Sequence, residues 1–223
     1  MSTLLLGHRG ARAVKSIPEN TIASFDRCLA DGCDGFEFDV RLTADAHPVI
    51  CHDPEFDGAA IAESPAKRLA NLPTLEEVLR RYHERAFLDI ELKVPGLERI
   101  TADLLKQYPA EHGVVASSFL QEVLQVLHKA ASAIPLGLIC ETKAQLHGWE
   151  QLPIAYVIVH RGLVSPELVD NVQKAGKKVF VWTVNAAREM RRLEVLGVDG
   201  VISDDTSLLR RTLAKENPAS GAK

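Results

Sequence analysis

The sequence predicts an α/β fold, a closed (β/α)8 TIM barrel with a β-hairpin extension after its second strand. Short apolar segments alternate with longer amphipathic segments along almost the whole chain. Eight apolar segments remain once one hairpin arm is excluded, and a closed barrel needs eight strands. The chain has 223 residues, of which 46% are apolar, enough to bury a substantial core. We therefore favour a barrel over an open doubly wound sheet, with a single domain at residues 1–216 and a flexible C-terminal tail at 217–223.

The predicted strands and helices follow one another without long gaps. The strands lie at residues 1–7, 35–40, 87–93, 114–117, 136–140, 155–160, 178–184 and 200–203. After the first two helices, the others lie near residues 97–108, 121–130, 143–151, 165–176, 186–196 and 205–216. Short returns of this kind are typical of parallel strands that are joined by crossover helices.

The first two helices are predicted from the residues at their ends. Ser16 is a candidate N-cap for a helix that begins near Pro18 and stops at Gly32. Thr74 and Glu77 form a capping box, which predicts the start of the second helix.

One apolar segment, at residues 48–52, breaks the alternation. It follows the strand at residues 35–40 after too few residues to hold a crossover helix. It is therefore predicted to be the returning arm of a hairpin that turns near Asp45, outside the ring of barrel strands.

Composition and charge exclude several classes of protein. The formal net charge is -4 and the 26 lysines and arginines are scattered, so no nucleic-acid partner is predicted. The N-terminus lacks the pattern of a secretory signal, and no apolar run approaches the roughly 20 residues that span a bilayer. The four cysteines form no CxxC pair and are expected to be reduced. These features favour a cytoplasmic location without stable membrane association, and they leave the oligomeric state undefined.

Acidic residues share one face of two neighbouring predicted strands. Glu37 and Asp39 are two residues apart, so they project to the same face. Asp89, Glu91 and Lys93 share a face of the strand at residues 87–93 in the same way. If both strands belong to the barrel, these charges face its interior at the carboxyl-terminal rim, where barrel enzymes keep their active sites.

Three carboxylates at one rim, those of Glu37, Asp39 and Glu91, predict a metal site. They would repel one another unless a cation neutralised them. Oxygen ligands favour one Mg²⁺ or Ca²⁺ ion, with Mn²⁺ as a third candidate, over zinc. The alternative is that each acid is a half-exposed strand residue or an ion-pair partner.

Two histidines stand at the ends of strand-like segments: His8 ends the first barrel strand and His52 ends the hairpin arm. Imidazoles suit both a base that activates a hydroxyl and an acid that protonates a leaving alkoxide. Arg9 offers a planar fork for phosphate oxygens, and Lys93 offers a point charge beside the metal. A single histidine is more often structural, so it is the whole set that predicts metal-assisted cleavage of a phosphate ester.

The same residues resemble those of glycerophosphodiester phosphodiesterases. The shared motifs are, in chain order, His8-Arg9-Gly10, Pro18-Glu19-Asn20-Thr21, Glu37-Phe38-Asp39-Val40, His52-Asp53, Glu91-Leu92-Lys93, Trp182-Thr183-Val184-Asn185 and Gly200-Val201-Ile202-Ser203-Asp204. One triplet alone is weak, but the ordered set covers nearly the whole chain. The resemblance implies a phosphodiesterase barrel of the phosphatidylinositol-phospholipase-C-like kind.

The resemblance also implies a reaction and a role for each matching residue. A glycerophosphodiester, a small-molecule substrate, would give glycerol 3-phosphate and an alcohol. The hydroxyl next to the esterified position would attack phosphorus, and water would open the cyclic phosphate. The roles implied are metal ligands for Glu37, Asp39 and Glu91, the acid-base pair for His8 and His52, and phosphate binding for Arg9 and Lys93. Trp182 would form an apolar wall for the glycerol carbons, with a packed core tryptophan as the alternative.

Two features depart from the family pattern. Residues 55–72 are short and lack the Arg-Thr-Thr type sequence that is usual after the His-Asp pair, so a reduced cap insertion is expected. Ala46 stands in the hairpin turn where glycine is usual. His160 begins a second His-Arg-Gly triplet, and it could line the mouth of the site or be structural.

Two other functions stay open at this point. A lysophospholipase-D-like or cyclising phosphodiesterase would use the same residues. A noncatalytic barrel that binds a glycerophosphodiester is the alternative from another class. Such a binder needs cations but no acid-base pair, so the two histidines favour an enzyme.

Overall fold

A computed structural model describes residues 3–213, which contain eleven strands and seven α-helices. The strands are β1 (Leu4–His8), β2 (Gly35–Leu42), β3 (Pro48–Ile50), β4 (Glu55–Phe56), β5 (Ala59–Ala60), β6 (Phe87–Leu92), β7 (Val114–Ser118), β8 (Leu136–Cys140), β9 (Tyr156–His160), β10 (Lys178–Trp182) and β11 (Gly200–Ser203). The helices are α1 (Ile22–Ala30), α2 (Leu75–Tyr82), α3 (Glu98–Gln107), α4 (Gln121–Ala130), α5 (Pro166–Lys174), α6 (Ala187–Leu196) and α7 (Thr206–Leu213).

Eight of these strands, β1, β2 and β6 to β11, form one closed parallel barrel. Each strand pairs with the next barrel strand along the chain, and β1 pairs with both β2 and β11. Leu4 lies opposite Gly200 on one side of β1, and Leu6 lies opposite Gly35 on the other. The predicted barrel is therefore confirmed.

The hairpin arm lies outside the ring of barrel strands, as predicted. Strand β3 runs antiparallel to β2, with Val40 opposite Ile50 and Leu42 opposite Pro48. Ala46 adopts a left-handed conformation in the turn, with φ of 61°. The short insertion that follows consists of the β4–β5 ribbon and 3-10 turns at Ile61–Glu63 and Ala66–Leu69.

Alternation along the strands separates an outer core from the barrel interior. Phe36 projects outward and stacks on Phe25 of α1, with ring centroids 4.3 Å apart, while Tyr82 of α2 meets it edge-on at 5.0 Å. Such aromatic packing holds the first helices against β2. Inside the barrel, apolar side chains fill the space below the carboxyl-terminal rim: Leu6, Phe87, Val115, Ile139, Tyr156, Ile158, Phe180 and Ile202. Polar residues of the same strands are thus left at the rim.

The predicted start of the first helix is wrong. The N-cap of α1 is Thr21, whose hydroxyl accepts a hydrogen bond from the Ser24 amide at 3.2 Å, and not Ser16. The residues before Thr21 form turns, and hydrogen bonds hold Asn20 against residues at the ends of β1 and β2. Its amide donates to the Arg9 carbonyl at 3.0 Å and its side chain donates to Asp39 at 2.8 Å.

The helix predicted at residues 143–151 is also wrong. Turns and a single 3-10 turn at Trp149–Gln151 connect β8 to β9. The Gln145 side chain accepts from the Glu141 and Thr142 amides, and Gly148 is left-handed with φ of 79°. These local bonds compete with a helix ladder, so the segment stays irregular.

The helices α2 and α7 agree with the predicted elements. The capping box at Thr74 and Glu77 is present, and the predicted closing helix is seen as α7 as far as Leu213. The tail predicted at residues 217–223 lies outside the described residues, and a single domain over 1–216 stays a prediction. Within residues 3–213, every helix is too short or too polar to cross a bilayer.

Candidate active site

Three buried carboxylates meet at the carboxyl-terminal rim of the barrel. Glu37 and Asp39 come from β2 and Glu91 comes from β6, where Glu91 is in register with Asp39. They are 5%, 1% and 7% exposed, and one carboxylate oxygen of each lies within 4.8 Å of the others. The juxtaposition predicted from the two strands is present.

One buried oxygen of this acidic trio, Oε1 of Glu37, has no hydrogen-bond donor among the described residues. Oδ1 of Asp39 is also buried, and its neighbour is the ammonium group of Lys93 at 3.2 Å. A buried acceptor without a donor is costly, so Glu37 Oε1 indicates a place for a ligand. Carboxylate oxygens within reach of one another suit a hard divalent cation. The trio therefore fits a divalent metal site.

The pKa values of all three carboxyl groups of the trio are shifted from their usual values. Burial, followed by repulsion from Asp39 and Glu91, raises the pKa of Glu37 well above its usual value. Burial and Asp39 likewise raise the pKa of Glu91 to about 7. Burial also opposes ionisation of Asp39, but Lys93 and Arg9 outweigh it and lower the Asp39 pKa. Bound positive charge would relieve this repulsion.

The two predicted cations flank Asp39. Lys93 Nζ lies 2.7 Å from Glu91 Oε1 and 3.2 Å from Asp39 Oδ1. Arg9 Nε lies 3.2 Å from Asp39 Oδ2, and its Nη1 donates to Glu19 at 2.6 Å. Arg9 has φ of 52°, an uncommon conformation for a non-glycine residue that occurs at functional sites. Both cations are therefore positioned by carboxylates at the cavity wall.

His8 stands between two acids. Its Nδ1 lies 2.7 Å from Asp204 Oδ1, and its Nε2 lies 3.9 Å from Glu37 Oε2. Asp204 Oδ2 also accepts from Asn185 Nδ2 at 2.7 Å, and Asn185 Oδ1 accepts from the Asp204 backbone amide at 2.9 Å. Burial opposes ionisation of Asp204, but the contacts with His8, Asn185 and Arg12 lower its pKa to about 2. An ionised Asp204 thus fixes the orientation of the His8 ring.

His52 reaches the site from the segment after β3. Its Nδ1 lies 2.7 Å from Asp53 Oδ1, and its carbonyl accepts from Arg41 Nε and Nη2 at 2.8 and 2.6 Å. Burial lowers the pKa of His52, despite the bond to Asp53. Arg41 therefore fixes the backbone of His52, and Asp53 holds its ring.

One cavity of about 300 Å³ opens between these groups. One side is charged and is lined by His8, Arg9, Glu37, His52, Asp89, Glu91 and Lys93. The other residues of the lining come from the strands β7 to β11 or directly follow them, and this side is mainly apolar: Phe119, Ile139, Glu141, Ile158, Trp182 and Ile202. The cavity thus brings together both predicted histidines, both predicted cations, Glu37, Glu91 and Trp182, while Asp39 lies buried beside it.

Trp182 is both packed and exposed to the cavity. Its indole N–H donates to the Ile158 carbonyl at 3.3 Å, and its ring meets Phe119 edge-on at 5.8 Å. His160 packs edge-on against the other side at 5.6 Å and accepts from the Gly162 amide. His160 is not among the residues that line the cavity, and its ring contact is with Trp182.

Sequence reasoning did not assign roles to Asp204, Asp89 or Glu19. Asp204 follows the last strand, a position that barrel topology places at the rim. Asp89 shares its face with Glu91, and it accepts from Ser117 Oγ at 2.6 Å while burial raises its pKa to about 7. Glu19 pairs with Arg9 and Arg12, which the intervening loop brings together.

A parallel barrel with acids, cations and imidazoles around one rim cavity is typical of hydrolases that act on phosphate esters. The sequence matches the model of the glycerophosphoryl diester phosphodiesterase family at residues 8–102 and 57–208. The chain therefore belongs to this family, which confirms the predicted resemblance and enzyme class.

Individual relatives agree with this assignment. The glycerophosphodiester phosphodiesterase of Caldanaerobacter subterraneus subsp. tengcongensis is 32% identical over 96% of this chain and 99% of its own length. A phosphodiesterase of Oleispira antarctica, solved with the product sn-glycerol-3-phosphate, is 26% identical with a TM-score of 0.84, covering 96% of this chain and 98% of that one. The Thermotoga maritima glycerophosphodiester phosphodiesterase shares the fold, with 24% identity, coverage of 95% and 98% and a TM-score of 0.83.

Proposed function

We propose that this chain hydrolyses glycerophosphodiesters to glycerol 3-phosphate and an alcohol, with help from a divalent cation. One observation carries the proposal: an acidic trio, in which Glu37 Oε1 has no donor among the described residues, borders a single cavity together with two cations and two imidazoles. Family membership and the product bound to the Oleispira relative support the same substrate class.

Glu37, Asp39 and Glu91 would hold the cation, with Mg²⁺ or Ca²⁺ preferred and Mn²⁺ as a third candidate. Their oxygen donors and deep burial support a hard ion. When bound, such an ion supplies Lewis-acid stabilisation of charge on phosphoryl oxygens. Arg9 and Lys93 line the same side of the cavity, so they would bind the phosphate oxygens that face them.

His8 and His52 would transfer the protons. One imidazole takes the proton of the glycerol hydroxyl next to the ester, and that oxygen forms a bond to phosphorus. The bond from phosphorus to the other alcohol breaks, and the second imidazole protonates the departing oxygen. Water then opens the cyclic phosphate with the two roles reversed. Trp182 would support the glycerol carbons from the apolar side of the cavity.

Release of glycerol 3-phosphate from glycerophosphocholine and glycerophosphoethanolamine tests the proposal. We expect release with at least one of Mg²⁺, Ca²⁺ or Mn²⁺ and none after chelation. Phosphorus NMR would distinguish a released cyclic phosphate, the product of a cyclising enzyme, from glycerol 3-phosphate. Absence of product with all three cations would contradict the proposed activity.

Variants of the two histidines separate an enzyme from a binding protein. His8→Ala and His52→Ala should abolish turnover and leave substrate binding measurable, while the matched variant of the exposed His147 should behave as the parent. Binding without turnover in the parent protein would favour the noncatalytic alternative. A cytoplasmic location, the lack of a nucleic-acid partner and the lack of stable membrane association stay predictions.

A further inference from the structure

The apolar side of the cavity carries one free charged group. Phe119, Ile139, Ile158 and Ile202 offer only carbon atoms there, and the Trp182 N–H is already donated to a carbonyl. Glu141 lines the same side, directly after the last residue of β8. Among residues 3–213, no side chain lies within ion-pair or hydrogen-bond distance of its carboxylate.

The backbone beneath Glu141 is held in place. The amides of Glu141 and Thr142 both donate to Oε1 of Gln145, at 2.8 and 2.9 Å. These bonds fix the backbone from which the exposed Glu141 side chain extends at the rim of the cavity. A polar acceptor on an otherwise apolar wall is typical of a group that orients a ligand.

The chemistry of the substrate decides which part of it faces this wall. This step rests on the proposed function, in which the glycerol hydroxyl next to the ester must approach phosphorus and an imidazole. Glycerol must therefore lie inside the cavity with the phosphate, while the departing alcohol faces solvent. The carbon chain of glycerol suits the apolar wall, and its terminal hydroxyl, the one farther from phosphorus, then needs an acceptor.

We infer that Glu141 determines specificity for glycerol by accepting a hydrogen bond from its terminal hydroxyl. The group that it recognises is thus the part of the substrate that stays with the phosphate. A diol ester that lacks the terminal hydroxyl would leave the Glu141 carboxylate without that donor. The enzyme should therefore prefer glycerol esters over esters of propane-1,2-diol.

Three substrates test this inference: glycerophosphocholine, glycerophosphoethanol and 2-hydroxypropyl phosphocholine. The first two differ in the charge of the departing alcohol, and the third lacks only the terminal hydroxyl. Glu141→Ala should lower kcat/KM about 10- to 100-fold for both glycerol esters and leave the 2-hydroxypropyl ester unchanged. Glu141→Gln, which keeps an acceptor oxygen, should lose less than the alanine variant. The matched variant Glu150→Ala removes an exposed acid outside the cavity and should have no effect.

Product inhibition gives a second measurement that does not need turnover of the poorer substrate. Glycerol 3-phosphate should inhibit the parent more strongly than 2-hydroxypropyl phosphate does, and Glu141→Ala should remove that difference. The inference would be overturned if Glu141→Ala lost kcat/KM equally for all three substrates, only for the choline esters, or for none of them. In each of these cases, activity of the parent protein would still uphold the proposed function. A parent protein without turnover would overturn both.

Discussion

His8 Nδ1 lies 2.7 Å from Asp204 Oδ1, a contact between residues 196 positions apart in the sequence. The carboxylate holds one ring nitrogen, so the other, Nε2, is directed towards the cavity beside Glu37. An imidazole oriented by a carboxylate, here the half-buried Asp204, is a familiar arrangement in general acid-base catalysis. Asp204 is therefore a positioning residue whose effect passes through His8.

Replacing Asp204 should impair turnover more than substrate binding. We expect Asp204→Ala to lower kcat about 10- to 100-fold with little change in KM, because the His8 ring loses its orientation while the phosphate-binding groups remain. Steady-state kinetics on glycerophosphocholine measures both constants. Asp103→Ala, which removes an acid with a 72% exposed side chain, is the matched control. A change confined to KM would contradict a positioning role.

Asp204 should also make the stability of the protein depend on pH in acid. Its pKa is about 2 in the folded protein, against 3.8 for an unpaired aspartate. Because the folded pKa is the lower one, the contribution is present above about pH 4 and is lost as pH falls towards 2. Partial exposure reduces it to roughly 1–2 kcal/mol. Urea unfolding between pH 5 and 2.5 measures the unfolding free energy. The parent should lose this contribution as pH falls, and Asp204→Asn should lack it throughout. Equal pH dependence of the unfolding free energy in the two proteins would contradict the role given to Asp204.

Removing one acid of the trio should affect stability in opposite directions with and without cation. The raised pKa of Glu37 means that its ionisation destabilises the folded state at pH 8 when no cation is present. Glu37→Gln should therefore raise Tm in chelator and abolish the rise in Tm that Mg²⁺ or Ca²⁺ gives the parent. Glu55→Gln, at an exposed position, serves as the control. An equal cation-induced rise in both proteins would place the ion elsewhere.

The capping box at the start of α2 should contribute to stability without affecting catalysis. Thr74 Oγ1 accepts from the Glu77 amide at 3.2 Å, and Glu77 Oε2 accepts from the Thr74 amide at 2.8 Å. Thr74→Ala should cost about 1 kcal/mol of unfolding free energy and leave kcat/KM unchanged. Thr74→Ser keeps the cap and should stay close to the parent. If Thr74→Ala lost activity while its unfolding free energy stayed that of the parent, the prediction that the cap contributes only to stability would be wrong.

Local sequence patterns predicted the parts of the site that depend on strand geometry. Glu37 and Asp39 share a face because strand side chains alternate, and parallel pairing then brings Glu91 beside Asp39. The hairpin that carries His52 followed from a connection too short for a helix. These features depend on near neighbours in the chain, so a single sequence contains them.

The same sequence patterns did not predict the contacts that are made through loops. In the irregular segment before α1, Asn20 bonds Asp39 and Glu19 bonds Arg9. Because this segment is not helical, the N-cap is Thr21 and not the predicted Ser16. Asp204 meets His8 only because the barrel closes. Glu141 stands alone in the sequence, and it lines the cavity because it follows β8 in the closed barrel. Such contacts follow from tertiary packing, which periodicity does not encode.

The pairing of β1 with β11 has a consequence for protein synthesis. Of the strands that the structure describes, β1 is translated first, and its neighbour on one side, residues 200–203, is translated last. Synthesis at roughly 5–20 residues per second leaves β1 unpaired on that edge for about ten seconds or longer. A nascent chain in this state has an open sheet, so hydrolysis should begin only after residues 200–203 have left the ribosome and the barrel has closed.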